Sequence, residues 1–448
     1  MQLKARVQFD QPYTHELVKS SLKDRSKFDW IIEEDITDDS IAEGDQVHLQ
    51  WLEYELINWD KLASQETETL ANSYCIRKGL IRKSQMAYNL TKYMSKHPDS
   101  ILKTAIPETW LFELDHIDYL DEAMNEVFEV EQDLADNEDL ETNRKAFIIK
   151  PSMANKAAGI HIFDTMEGLK SLFERTRLDD SDEEEEEEEN DEEDAEDDNR
   201  ENEDGDNEGA EEEEEEEEVD YDDEDEDEED LSQIREWVIQ RYVQHPLLLC
   251  GNRKFHVRAY VLAVSNIQVY LYSDMLALFA LKPFDESDLS DQLSHITNTC
   301  IQTGEDTFVE NDSVKLFWDL KNEEGVTQEN LDSMFKQMQE TLRDLFDACS
   351  SEMTTFQAIP NAFELYGVDF LIDRDMQVYF LEANAFPDFK QTGNELQHII
   401  SDLFAETIQL AVDPFFESSG ADTSSSVRKE QTPSKFVKVF ERQLLGPR

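Results

Sequence analysis

Apolar and polar positions along the chain fall into short alternating runs and a few longer helical ones. KARVQF (4–9) and DWIIEE (29–34) read as strands, and VHLQWLEYELINW (47–59) adds three core-type aromatics, so residues 1–70 form a mixed αβ unit. Helical spacing dominates from 71 to 128, with Pro107 at the edge of a strand, ETWLFEL. AFIIKP (146–151) and EWVIQRYV (236–243) read as neighbouring strands of one sheet. KFHVRAYVLAV (254–264) and IQVYLYSD (267–274) form a hairpin about Ser265–Asn266, and FELYGVDFLID (363–373) and MQVYFLEANAF (376–386) form a second, turning at Arg374–Asp375. Between the hairpins, LDSMFKQMQETLRDLFDACS (331–350) is a strongly amphipathic helix. After Pro414 a Ser-rich stretch (418–426) reads as a linker. Phe436, Phe440 and Leu444 then recur every fourth residue, which predicts a short amphipathic helix docked back on the body.

Charge changes the picture. The 448 residues carry 107 Asp+Glu against 40 Lys+Arg, a net charge of -67. Residues 179–230 hold 40 acids and one Arg in 52 positions, too polar to fold, and read as a disordered insertion in a loop. The other 396 residues still carry 67 acids and 39 bases, so strong nucleic-acid binding and attraction to anionic membranes are not expected. No apolar run reaches the roughly 18 residues a membrane span needs. Cys75, Cys250, Cys300 and Cys349 are far apart without a CxxC pair, which suggests neither a zinc site nor a disulfide framework and fits a reducing, intracellular setting.

Three constellations carry candidate chemistry. In KFHVRAY, alternation places Lys254, His256, Arg258 and Tyr260 on one strand face, and two cations on one face suit a polyanion. In the second hairpin Glu382 and Asn384 share a face and Asp369 lies on the partner strand, three oxygen donors for a hard cation, Mg²⁺. KPSMANKAAGI (150–160) ends an apolar strand at Lys150 and continues in small residues with Lys156, a loop able to close over phosphates.

These segments, with WVIQRYV and HITNTCIQ (295–302), resemble in order the motif set of the tubulin-tyrosine-ligase-like family of ATP-grasp enzymes. CIRKGLIRKSQM (75–86), preceded by INWDKL, is similar to the fungal, P-body-associated branch of that family. The resemblance implies an α/β (α+β) ATP-grasp fold: an N-terminal domain (1–82), a central domain (83–240) interrupted by 179–230, a C-terminal domain (241–413) and a tail (414–448). It implies ATP between the central and C-terminal sheets. Lys83 and Lys150 would touch its phosphates, Gln240, Arg241, Tyr242 and Val243 the adenine, Lys254 and Arg258 the nucleotide and γ-phosphate, and Asn298 the nucleotide and acceptor cleft. Asp369, Glu382 and Asn384 would hold Mg²⁺, with Lys254, Arg258 and Glu382 as the catalytic set. The implied activity is ATP-dependent joining of an amino acid to a protein, and the implied alternative is an ATP-binding scaffold in cytoplasmic mRNA-decay bodies, with decay factors as partners.

Two positions depart from the family pattern. Members carry an acid where His256 stands and an Arg where Leu278 stands in LALFALKPF; Leu278 cannot neutralise a phosphate, although Lys282 lies close in sequence. The acidity of the whole chain also makes the acidic tail of tubulin a poor substrate and favours a basic or neutral protein acceptor.

Overall fold

The computed structural model describes residues 2–34, 46–64, 68–153, 158–174, 234–298, 302, 313–390, 393–419 and 434–442. The predicted acidic insertion, the loop residues Ala154, Lys156 and Ala157, Cys300, Leu444 and most of the Ser-rich stretch lie outside them. The chain divides into two compact units: Met1–Leu111, Lys145–Ile162 and Val238–Arg448 make up the first, Phe112–Arg144 and Phe163–Trp237 the second.

The first unit begins with a parallel sheet in the order β2-β1-β3-β4, from Gln2–Gln8 (β1), Asp29–Glu33 (β2), Leu49–Leu52 (β3) and Leu70–Ala71 (β4). Alternation explains β1, since Leu3, Ala5 and Val7 are all buried. A helix, Pro12–Arg25, opens with the proline in its first turn, where no donor is lost, and buries Val18 and Leu22. Further strands follow at Thr109–Glu113 (β5), Phe147–Pro151 (β6), His161–Phe163 (β7) and Glu236–Arg241 (β8), in the order β5-β8-β6-β7. The two runs expected to be sheet neighbours, β6 and β8, are neighbours.

The largest sheet is built around Phe255–Val264 (β9). Its first half pairs with Leu276–Phe279 (β11) and its second half with Gln268–Tyr272 (β10), both antiparallel. Its other edge pairs with Phe363–Ile372 (β13), in register from Phe363 opposite Val264 to Leu371 opposite His256. Val314–Leu316 (β12) extends β11, and Val378–Ala385 (β14) extends β13, with Asp369 opposite Glu382 and Gly367 opposite Asn384. Both predicted hairpins are therefore present.

Helix Gln328–Ser350 starts at a capping box, in which the Asn330 N–H donates to the Thr327 hydroxyl and the Thr327 N–H donates to Asn330 Oδ1. Leu331, Met334, Met338, Leu342 and Leu345 recur at helical spacing and share one core with Phe255, Val257 and Ala259 of β9.

The C-terminal segment differs from its prediction. Residues Phe436–Glu441 form a strand (β15) antiparallel to β10, not a helix. The open edge of β10 supplies partners for the backbone, and Phe436 packs its ring 5.0 Å from that of Tyr272, so pairing overrides the fourfold spacing.

In the second unit Phe173 meets the ring of Trp237 edge-on at 5.2 Å, and Asn137 donates to the Asp164 carbonyl at 2.9 Å. Among the described residues, no helix is long and apolar enough to cross a membrane.

Candidate functional site

The two faces of β9 separate core from chemistry. Phe255, Val257 and Ala259 enter the core, while Lys254, His256 and Arg258, each less than a tenth exposed, line a cleft of about 100 Å³. Ile148 and Lys150 of β6 face it, as do Gln240 and Arg241 of β8 and the following Tyr242 and Val243. Asp369 and Leu371 come from β13, Leu381 and Glu382 from β14, and Thr297 and Asn298 from the segment after the short helix Gln292–His295. A second cavity of 330 Å³, with Lys83 in its wall, shares Lys150, Gln240 and Leu381 with this cleft.

Lys150 and Lys254 define the electrostatics. Lys150 Nζ donates to Gln240 Oε1 at 3.3 Å, and Lys254 Nζ to the Tyr242 hydroxyl at 3.0 Å. Neither forms an ion pair among the described residues. Burial lowers Lys150 to about 8 and Lys254 to about 7, each aided by a neighbouring ammonium group. The chain of donors continues: the Tyr242 O–H points to His295 Nδ1 at 2.8 Å, and His295 Nε2 donates to the Asp288 carbonyl at 2.9 Å, which fixes the tautomer.

The acidic side is as ordered. Arg258 grips Asp369 with Nε on Oδ1 at 2.5 Å and Nη2 on Oδ2 at 3.0 Å. Glu382 lies 3.4 Å from Lys83 Nζ, and its Oε1 accepts from the Asn384 amide at 3.2 Å. Burial works against its charge, but Lys83 and Lys150 outweigh that and hold the carboxyl at about 2.

His256 sits between the two sides. Its Nδ1 lies 2.6 Å from the Thr297 hydroxyl, and its Nε2 is 3.7 Å from Asp369 Oδ1, too far for a hydrogen bond, so that buried atom has no partner among the described residues. Burial lowers its pKa to about 4, leaving a neutral ring. Either Nδ1 or the Thr297 hydroxyl can donate in that contact.

The candidate residues thus converge. Lys83 joins through Glu382 and Asn384 through the same carboxylate. The Arg241 guanidinium is engaged elsewhere, on Glu108 at 3.0 Å and over the Phe147 ring at 4.5 Å. Thr297 and His295 were not singled out from the sequence, although HITN contains both; their partners, His256 and Tyr242, become visible only in the fold. The side-chain set fits a polyphosphate with a divalent cation: the buried Lys150 and Lys254 in a cleft that also holds the carboxylates of Asp369 and Glu382, the latter bonded to the Asn384 amide.

Residues 61–420 match the tubulin-tyrosine ligase family. The chain belongs to that family. It is 36% identical over 444 residues to a probable tubulin–tyrosine ligase of Schizosaccharomyces pombe, with 98% of each chain covered. It is 37% identical over 400 residues to the probable tubulin–tyrosine ligase PBY1 of Saccharomyces cerevisiae, covering 87% of this chain and 48% of that protein, so it spans about half of that relative. Among solved structures it matches the C-terminal domain of K. lactis Pby1, an ATP-grasp enzyme interacting with the mRNA decapping enzyme Dcp2. That match has a TM-score of 0.64 and 27% identity over 99% of this chain and 100% of the other. The α/β fold is therefore of the ATP-grasp type.

Within this family the two departures take on physical form. Leu278 stands opposite His256 in the β11–β9 register and is 1% exposed, in an apolar cluster with Leu276 and Leu262. Lys282 does not replace the missing cation: it is half-exposed and paired with Asp291 at 3.1 Å.

Proposed function

We propose that this chain binds ATP with Mg²⁺ in the cleft between β6–β8 and β9–β13–β14 and acts as a carboxylate–amine ligase on a protein substrate. One observation carries the reading: Lys150 and Lys254 are buried and form no ion pair among the described residues, with the Glu382 and Asp369 charges acting on Lys150 only from beyond contact, an arrangement that a bound polyphosphate would stabilise. Lys83, Lys150 and Lys254 would neutralise phosphate charge, Glu382 and Asn384 with Asp369 would hold Mg²⁺, and the stretch from Gln240 to Val243 would border the base. Bound ATP supplies the phosphoryl group that activates a carboxylate, after which an amine displaces phosphate. The residues at hand contribute positioning and charge neutralisation. The net acidity favours a neutral or basic protein acceptor over the acidic tubulin tail.

Leu278 supports a second reading, in which nucleotide is bound but turnover is weak and the chain serves as an adaptor. The Dcp2 interaction of the K. lactis domain supports partners among cytoplasmic mRNA-decay factors for this chain as well.

Calorimetric titration of ATP with Mg²⁺ into wild type and Glu382→Gln tests the first reading. Mg²⁺-dependent binding by wild type that the substitution abolishes is the expected result. If wild type does not bind, the nucleotide site and the ligase reading both fall.

A further inference from the structure

A separate cavity of 270 Å³ is formed by the segments after β1 and β3, the start of β13 and the segment that follows β14. Its floor is a set of interlocked rings. Trp51 meets Phe363 edge-on at 5.1 Å and stacks on Phe404 at 5.8 Å, and Phe404 meets Phe389 at 4.9 Å. Asp10, Glu53 and Asp388 line it as well, and no lysine or arginine does. Among the described residues none of these three carboxylates is in an ion pair. The Asp10 N–H donates to Glu53, and Gln11 and the Lys390 N–H donate to Asp388. Glu53 is half-buried and its carboxyl is raised, by burial first, against the lowering hydrogen bond from the Asp10 N–H and with the Asp10 and Glu55 charges adding to the rise.

Aromatic faces next to unpaired carboxylates favour an organic cation with a flat or apolar body, because the ring faces and the negative charge act together. The protein uses this chemistry one step away. Arg77 lies 3.7 Å over the Tyr54 ring and 5.4 Å from the Phe386 ring and pairs at 2.9 Å with Glu364, which also lines the cavity. A free amino acid would bring a carboxylate into a cavity lined by four carboxylates, Asp10, Glu53, Glu364 and Asp388, and by no lysine or arginine. A residue within a polypeptide brings none.

We propose that this cavity binds an arginine side chain presented by a partner polypeptide. The assignment is independent of the nucleotide reading.

The test is calorimetry of the full chain with the capped tripeptide acetyl-Gly-Arg-Gly-amide at physiological salt. Its neutral citrulline analogue and free arginine are run alongside, with thermal melts to check that each variant is folded. Saturable binding of the arginine peptide is expected, at least about tenfold tighter than either comparison ligand. Glu53→Gln and Asp388→Asn, which leave residues 179–230 untouched, are each expected to weaken it several-fold, and Glu382→Gln to leave it unchanged. Equal binding of the citrulline peptide, absence of binding, or unchanged affinity in both folded carboxylate variants overturns the site. Free arginine binding as tightly as the peptide overturns the polypeptide partner.

Discussion

Arg258 holds Asp369 through both carboxylate oxygens across adjacent strands, at 2.5 and 3.0 Å, in a pair that is more than nine-tenths buried. The pair occupies the oxygens that a metal would otherwise use, so Asp369 can serve a cation only by sharing them. Removing one partner strands a buried charge. Arg258→Met is expected to lower stability by about 3–5 kcal/mol, and the double variant Arg258→Met/Asp369→Asn by less than the sum of the singles. Urea denaturation of the three variants checks this.

Lys254 gives the cleft a pH signature. Its pKa is about 7 in the fold against an ordinary 10.5. Between those values the unfolded chain binds the extra proton, so this group's contribution is complete above pH 10.5 and is lost as pH falls to about 7. A bound polyphosphate raises the pKa again. ATP binding at about pH 8.5 is therefore expected to take up protons, measurable as a dependence of binding heat on buffer ionisation enthalpy, and Lys254→Met is expected to reduce the uptake.

Gly367 marks a close approach. A Cβ there would lie 2.6 Å from Pro387 Cβ and 3.4 Å from Arg258 Cδ. Gly367→Ala is expected to cost about 1–3 kcal/mol and to weaken ATP binding, because the displaced atoms belong to the cleft's arginine and to the strand exit beside Asn384. A thermal melt and a binding titration of the same variant read both effects.

Strand β15 covers an edge. Lys435, just before it, bridges Asp274 at 2.9 Å and Asp402 at 3.0 Å. Deleting residues 434–448 uncovers the backbone of β10 and the ring of Tyr272, and is expected to lower the melting temperature and promote concentration-dependent association, detectable by light scattering.

Much of this was legible from the chain. The alternation of β9 is long and unbroken, so its core face and its charged face could be separated by inspection, and both hairpins carried their turns in sequence. The pairing of Arg258 with Asp369 was not legible, because the residues are 111 apart and only the β9–β13 register joins them. Lys83 carried no local signal beyond its resemblance to a family motif; its ion pair with Glu382 is a product of tertiary structure. Residues 436–441 misled because the fourfold spacing of Phe436 and Phe440 suits a helix as well as a strand, and the open edge of β10 decides between them.

The strict division of β9 also limits how this protein can diverge. Losing or gaining one residue between Lys254 and Tyr260 would rotate every later side chain to the opposite face, sending cations toward the Met338–Phe346 core and Val257 or Ala259 into the cleft. Point substitutions such as that at residue 256 leave the alternation intact and can accumulate one at a time. Relatives can therefore drift in chemistry along this strand far more readily than in length.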